Sequence, residues 1–123
     1  MCTVLIVDDE ASFLHIVRLV LERAGYTVLA ASNGAEALEM AGQQQPDLII
    51  LDDMMPGLSG GEVCLQLKQD QALRQIPVVM HSAGARVKDP TYIASIGADD
   101  VLLKPSMPND IIGMTQKFLQ AGV

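Results

Sequence analysis

Apolar residues along the chain fall into five short continuous runs, and each run is followed by a stretch in which apolar positions recur at helical spacing. Thr3-Val-Leu-Ile-Val7 is β-branched and unbroken, as a strand covered on both faces is. Phe13, Ile16, Val17, Val20, Leu21 and Ala24 then mark one face of a helix, and Gly25 sits where a C-terminal cap belongs. Thr27 to Ala31 reads as the second strand. Asn33 with Glu36 three residues on has the form of a capping box opening a helix over residues 35–41. Leu48 to Leu51 is the third predicted strand, and Ser59 with Glu62 opens the next helix ahead of Val63, Leu65 and Leu67. Pro77 to Met80 is the fourth strand. Asp89-Pro90 pairs an N-cap with a proline at the first helical position, and Gly97 is the stop. Val101 to Leu103 is the fifth strand, and a last helix from Pro108 aligns Ile111, Ile112, Thr115, Phe118 and Leu119.

Strict alternation of strand and helix implies right-handed crossovers and a parallel sheet with helices on both faces. The 123 residues suit a single domain, expected over residues 1–123, and no repeat or linker divides them. Met1, two residues before the first strand, reads as a natural start. The far end fits either a stop or the start of a linker.

Composition narrows the function. The net charge of −7 argues against direct nucleic-acid binding, which needs a basic face. Two cysteines, Cys2 and Cys64, are too few and too far apart for a disulfide framework or a zinc site, and Cys64 reads as core. No apolar run has the roughly 18 residues of a membrane span, and the N-terminus lacks a signal-peptide pattern. A cytoplasmic protein is expected.

In an open parallel sheet, ligands bind beyond the carboxyl ends of the strands. There the first strand ends in Asp8-Asp9-Glu10, the third in Asp52-Asp53, the fourth in His81-Ser82-Ala83 and the fifth in Lys104-Pro105. Two carboxylates about 5 Å apart repel by about 3 kcal/mol at an effective dielectric of roughly 20. A divalent cation with hard oxygen ligands relieves that repulsion, and Mg²⁺ suits carboxylates, waters and phosphate oxygens. The set reads as a receptacle for a phosphoryl group, with metal on one side, Lys104 on the other and the Ser82 hydroxyl as donor. Strand alternation turns His81 away from Ser82, and neither His81 nor His15 is assigned a chemical role.

Val4-Leu-Ile-Val-Asp-Asp-Glu10, Asp47-Leu-Ile-Ile-Leu-Asp52, Met55-Pro56-Gly57, Ser82-Ala83 and Lys104-Pro105 together resemble the receiver domain of two-component response regulators. The resemblance spans essentially the whole chain. It implies a flavodoxin-like doubly wound α/β fold with five parallel strands in the order 2-1-3-4-5. It implies that Asp52 is the phosphoacceptor, taking its phosphoryl group from a histidine kinase or phosphotransfer protein. Asp9 would ligate Mg²⁺ directly and Asp8 largely through water, with Asp52 and the Met54 carbonyl completing the protein ligands. Ser82, the Ala83 amide and Lys104 would hold the phosphoryl oxygens. The fourth helix, fifth strand and fifth helix would present the changed face to a downstream partner, an effector domain or a second copy of the chain.

Four positions depart from the family pattern. Val101 and Ser106 occupy positions where an aromatic ring is usual. Gly84 is expected to leave little side-chain cover over the phosphate. Asp53 adds a charge beside the phosphoacceptor and is expected to face solvent. An aspartyl-nucleophile phosphatase is the rival enzyme, but it carries an acid two residues after the nucleophile, where Met54 stands. A receiver-like interaction module without phosphotransfer would lack one of Asp9, Asp52 or Lys104, and all three are here.

Overall fold

A computed structural model describes residues 2–119; Met1 and residues 120–123 of the expected domain lie outside the described residues. Five strands, β1 (Thr3–Val7), β2 (Thr27–Ala31), β3 (Leu48–Leu51), β4 (Val78–Ser82) and β5 (Asp100–Leu103), form one sheet in the order β2-β1-β3-β4-β5. All four pairings are parallel. The connecting helices are α1 (Ala11–Arg23), α2 (Gly34–Gln44), α3 (Gly60–Gln69), α4 (Pro90–Ile96) and α5 (Pro108–Phe118). The expected sheet order and doubly wound architecture are thus observed. A 3₁₀ turn, Ala85–Lys88, before α4 was not foreseen.

Strand alternation divides the interior into two cores. Val4 and Ile6 of β1, Leu48 and Ile50 of β3 and Val79 of β4 pack with Val17, Leu21 and Ile111 on the α1–α5 side. Leu5, Val7, Ile49, Leu51, Val78 and Met80 pack with Ala37, Val63, Leu67 and Ile96 on the α2–α3–α4 side. Fully burying one such side chain contributes about 1.5–3 kcal/mol. Cys64 lies in the second core as expected; burial pushes its thiol up to about 12.

Local signals decide the helix ends. The Ser59–Glu62 capping box is complete. Asn33 caps α2 by accepting from the Glu36 N–H, but the Glu36 carboxylate takes the Ser32 N–H, so that box is half formed. Asp89 caps α4, and Gly97 closes it at φ 78°. Two expected core positions are corrected: Ile16 is 55% and Leu65 40% exposed. Ile16 stands one residue, about 100° around the helix, from buried Val17, and Leu65 the same from buried Cys64, so each is turned off the core direction. Among the described residues, no helix is long and apolar enough to cross a membrane.

Candidate functional site

The alternation that builds the two cores continues past the carboxyl ends of the strands and sorts the polar residues there. Asp8 follows Ile6, Asp52 follows Ile50, His81 follows Val79 and Lys104 follows Leu102, all on the α1–α5 side. Asp53 follows Leu51 onto the α3–α4 side.

Asp8, Asp9 and Asp52 each bring a carboxylate oxygen within 4.8 Å of the others. Asp8 and Asp52 are buried, whereas Asp9 is exposed at the rim. Lys104 Nζ lies 2.6 Å from Asp8 Oδ2 and 3.6 Å from Asp52 Oδ2. The same ammonium stands 4.9 Å from the centre of the Phe13 ring, an α1 side chain that walls this side of the site. Asp52 Oδ1 accepts from the Met54 N–H at 3.2 Å, and Ser82 Oγ accepts from the Gly84 N–H at 3.1 Å. Asp8 also receives the Glu10 N–H at the start of α1.

Burial pushes the Asp52 carboxyl above the usual aspartate range, and Asp8 adds to the rise; Lys104, the Met54 N–H and Ser82 pull it back. These partners do not offset the burial of the anion, so Asp52 is under-satisfied. The all-carboxylate donor set is hard and oxygen-only, which fits Mg²⁺ and not a thiolate-seeking metal.

Asp53 corrects an expectation. It is 0% exposed, and its carboxylate accepts from the Gly61 N–H at 2.8 Å, the Tyr92 hydroxyl at 2.9 Å, and Arg86 Nε and Nη2 at 2.7 and 3.2 Å. The physical reason is the sheet's period of two, which turns Asp53 inward beside Leu51, where a forked guanidinium waits. Gly84 lies against the Met54 side chain, so closely that a Cβ there would stand 2.9 Å from Met54 Sδ. Ser106 takes no aromatic's role; its hydroxyl meets His81 Nε2 at 2.8 Å. Val101 packs against the α2–α3–α4 core. His81 is buried, with its ring 5.2 Å from that of Phe13, and His15 is exposed. The peptide between Lys104 and Pro105 is cis.

The sequence places Phe13 on the apolar face of α1 without a role at the site, and it does not single out Arg86 or Tyr92. Alternation beyond β3 points to the face that Asp53 enters, but Arg86 and Tyr92 lie 33 and 39 residues further along.

Comparison with known proteins agrees with this arrangement. The alkaline phosphatase synthesis transcriptional regulatory protein PhoP of Bacillus subtilis is 40% identical over 117 residues, which is 95% of this chain and 48% of PhoP. The phosphate regulon transcriptional regulatory protein PhoB of Pseudomonas aeruginosa is 37% identical over 118 residues, covering 96% of this chain and 52% of PhoB. This chain therefore spans about half the length of these relatives. The crystal structure of the Vibrio cholerae chemotaxis protein CheY4 superposes with a TM-score of 0.90 at 31% identity, covering 97% of this chain and 99% of CheY4. The response regulator receiver domain family matches residues 4–116, and the chain belongs to that family of phosphorylation-dependent signalling switches.

Proposed function

We propose that Asp52 is the phosphoacceptor of a single receiver domain formed by residues 1–123. A histidine kinase or phosphotransfer protein is the donor. A carboxylate oxygen of Asp52 attacks phosphorus, the O–P bond forms as the P–N bond of phosphohistidine breaks, and the imidazole leaves with the bond's electron pair. The reading rests on one observation: three carboxylates and one ammonium converge where β1, β3 and β5 end.

The transfer is chiefly a matter of position and charge. Asp52 must be ionised to attack; Lys104 and the Met54 N–H oppose the upward pull of burial on its carboxyl. Asp8, Asp9, Asp52 and the Met54 carbonyl would hold Mg²⁺, which supplies charge neutralisation between the acids and the phosphoryl oxygens. Lys104, now closer to Asp8 than to Asp52, is placed to pair with a phosphoryl oxygen. The Ser82 hydroxyl and the Ala83 amide are the remaining donors.

Drawing Ser82 and Lys104 toward the modified Asp52 alters the face formed by α4, β5 and α5. A downstream partner, an effector domain or a second copy that binds one state preferentially shifts the population toward it. On this reading the protein is a cytoplasmic regulator and not a turnover enzyme; its own chemistry is limited to accepting the group and hydrolysing it.

Incubation with acetyl phosphate and Mg²⁺, followed by intact mass, tests the assignment. One phosphoryl group is expected, and none on Asp52→Asn. Labelling that survives the substitution removes Asp52 from the role.

A further inference from the structure

The residue after the proposed phosphoacceptor is as fully bonded as the phosphoacceptor is open. Asp53 collects four hydrogen bonds from three places: the backbone at the start of α3, the 3₁₀ turn through Arg86, and α4 through Tyr92. The Arg86 guanidinium also lies over the Tyr92 ring, 4.8 Å from its centre. The fit is close: a Cβ at Gly61 would stand 1.9 Å from the Tyr92 hydroxyl oxygen. Asp53 is fully buried while the Arg86 side chain is 53% exposed, so losing a donor leaves the Asp53 carboxylate short of a partner in the interior.

The clamp sits across the route from the phosphorylation site to α4. Asp53 is joined to Asp52 by a peptide bond, and Arg86 follows Ser82 by four residues. The segment from Ser82 to Arg86 is therefore anchored at one end in the sheet and at the other on Asp53. Movement of Ser82 toward Asp52 pulls on Arg86 through these four residues, and on Tyr92 through their shared partner Asp53. A cavity of about 140 Å³ opens beside it between α3 and α4, lined in part by Leu65, Arg86, Tyr92 and Ile96. This leaves α4 room to shift. Val101 on β5 offers no ring to serve the same purpose.

We infer that Asp53 is a positioning residue whose clamp on Arg86 and Tyr92 conveys the state of Asp52 to α4. The inference rests on Asp52 being the phosphoacceptor, and its test separates the two. Amide hydrogen exchange over α4 is measured with and without beryllofluoride plus Mg²⁺, a stable stand-in for the phosphoryl group. In parallel, acetyl phosphate labelling of Asp52 is followed by intact mass. The native protein is expected to change its α4 exchange when the mimic binds. Arg86→Met and Tyr92→Phe are expected to keep Asp52 labelling while the change at α4 falls about fivefold or more. Arg86→Lys, which retains a cation opposite Asp53, is expected to restore part of it.

Labelled variants whose α4 responds as in the native protein would overturn the clamp, as would a labelled native protein whose α4 does not respond. A native protein that takes no label refutes the phosphoacceptor reading, and this inference falls with it. Should Arg86→Met not fold, Tyr92→Phe decides alone, since it removes a single hydroxyl.

Discussion

Lowering the pH from 7 to 5 is expected to destabilise the fold through one side chain, His81. The imidazole is buried, and burial, with Lys104 nearby, pushes its pKa from 6.5 down to about 4 against a smaller opposing pull from Asp8. In the unfolded chain it protonates near 6.5, so between the two values the unfolded state binds more protons. The stability it contributes is complete above 6.5 and is lost as the pH falls toward 4. The loss between pH 7 and 5 comes to about 2 kcal/mol and the full loss to about 3 kcal/mol. That is a sizeable part of a total of roughly 5–15 kcal/mol.

Urea unfolding at pH 7, 6 and 5, without divalent cation, measures this in the native protein and in His81→Gln. Glutamine keeps a polar partner for the Ser106 hydroxyl, which His81 Nε2 meets at 2.8 Å, and removes the titration. Losing the ring against Phe13 lowers stability at every pH and leaves the slope to report on the imidazole. Asp52, whose raised pKa acts in the opposite sense, is common to both proteins and cancels in their difference. The native protein is expected to lose about 2 kcal/mol more than the variant from pH 7 to 5. Parallel pH profiles would refute the claim that His81 is buried in its neutral form.

Two further outcomes follow from the site and its supports. Millimolar Mg²⁺ is expected to raise the unfolding temperature, and Asp9→Ala to shrink that gain; at ten times the dissociation constant the stabilisation is about 1.4 kcal/mol, readable by calorimetry. Gly60→Ala is expected to cost about 3 kcal/mol or more and to slow labelling of Asp52, because its Cβ would fall 2.1 Å from the Asp52 carbonyl oxygen; denaturant unfolding and acetyl phosphate kinetics check both effects.

The order of elements was legible because each carried its own signal: a β-branched run, a cap, a proline at the first helical position. Ser59 and Glu62 needed no distant partner to be read correctly. Ile16 and Leu65 were misread because a helix face has margins, and which marginal residue is covered depends on what packs against it. The acidic cluster was legible because sheet topology brings strand ends together whatever lies between them. Asp53 was not, since its partners come from three later elements. For His81, alternation supplied the direction, while Ser106, 25 residues on, and Phe13 on α1 supplied the environment.

The contrast between the two adjacent aspartates has an electrostatic logic. Asp53 is saturated by four donors, two of them from the Arg86 cation, so it is inert, and its charge adds little to the field around its neighbour. Asp52 cannot be treated in this way, because a carboxylate locked into a full set of hydrogen bonds has no lone pair free to attack. It has one backbone N–H, the neighbouring Ser82 hydroxyl and a Lys104 that is already 2.6 Å from Asp8. With Asp8, Asp9 and Lys104 it leaves the mouth of the site at a net formal charge of −2, which repels an incoming phosphate. A dication offsets that charge; a second lysine would also offset it, but would occupy the space and the lone pairs that the phosphoryl group requires. The same excess of negative charge that destabilises the isolated domain is therefore what makes its rim selective for a cation and a phosphoryl group together. Asp53 can sit beside it because period-two alternation sends its charge to the other face of the sheet.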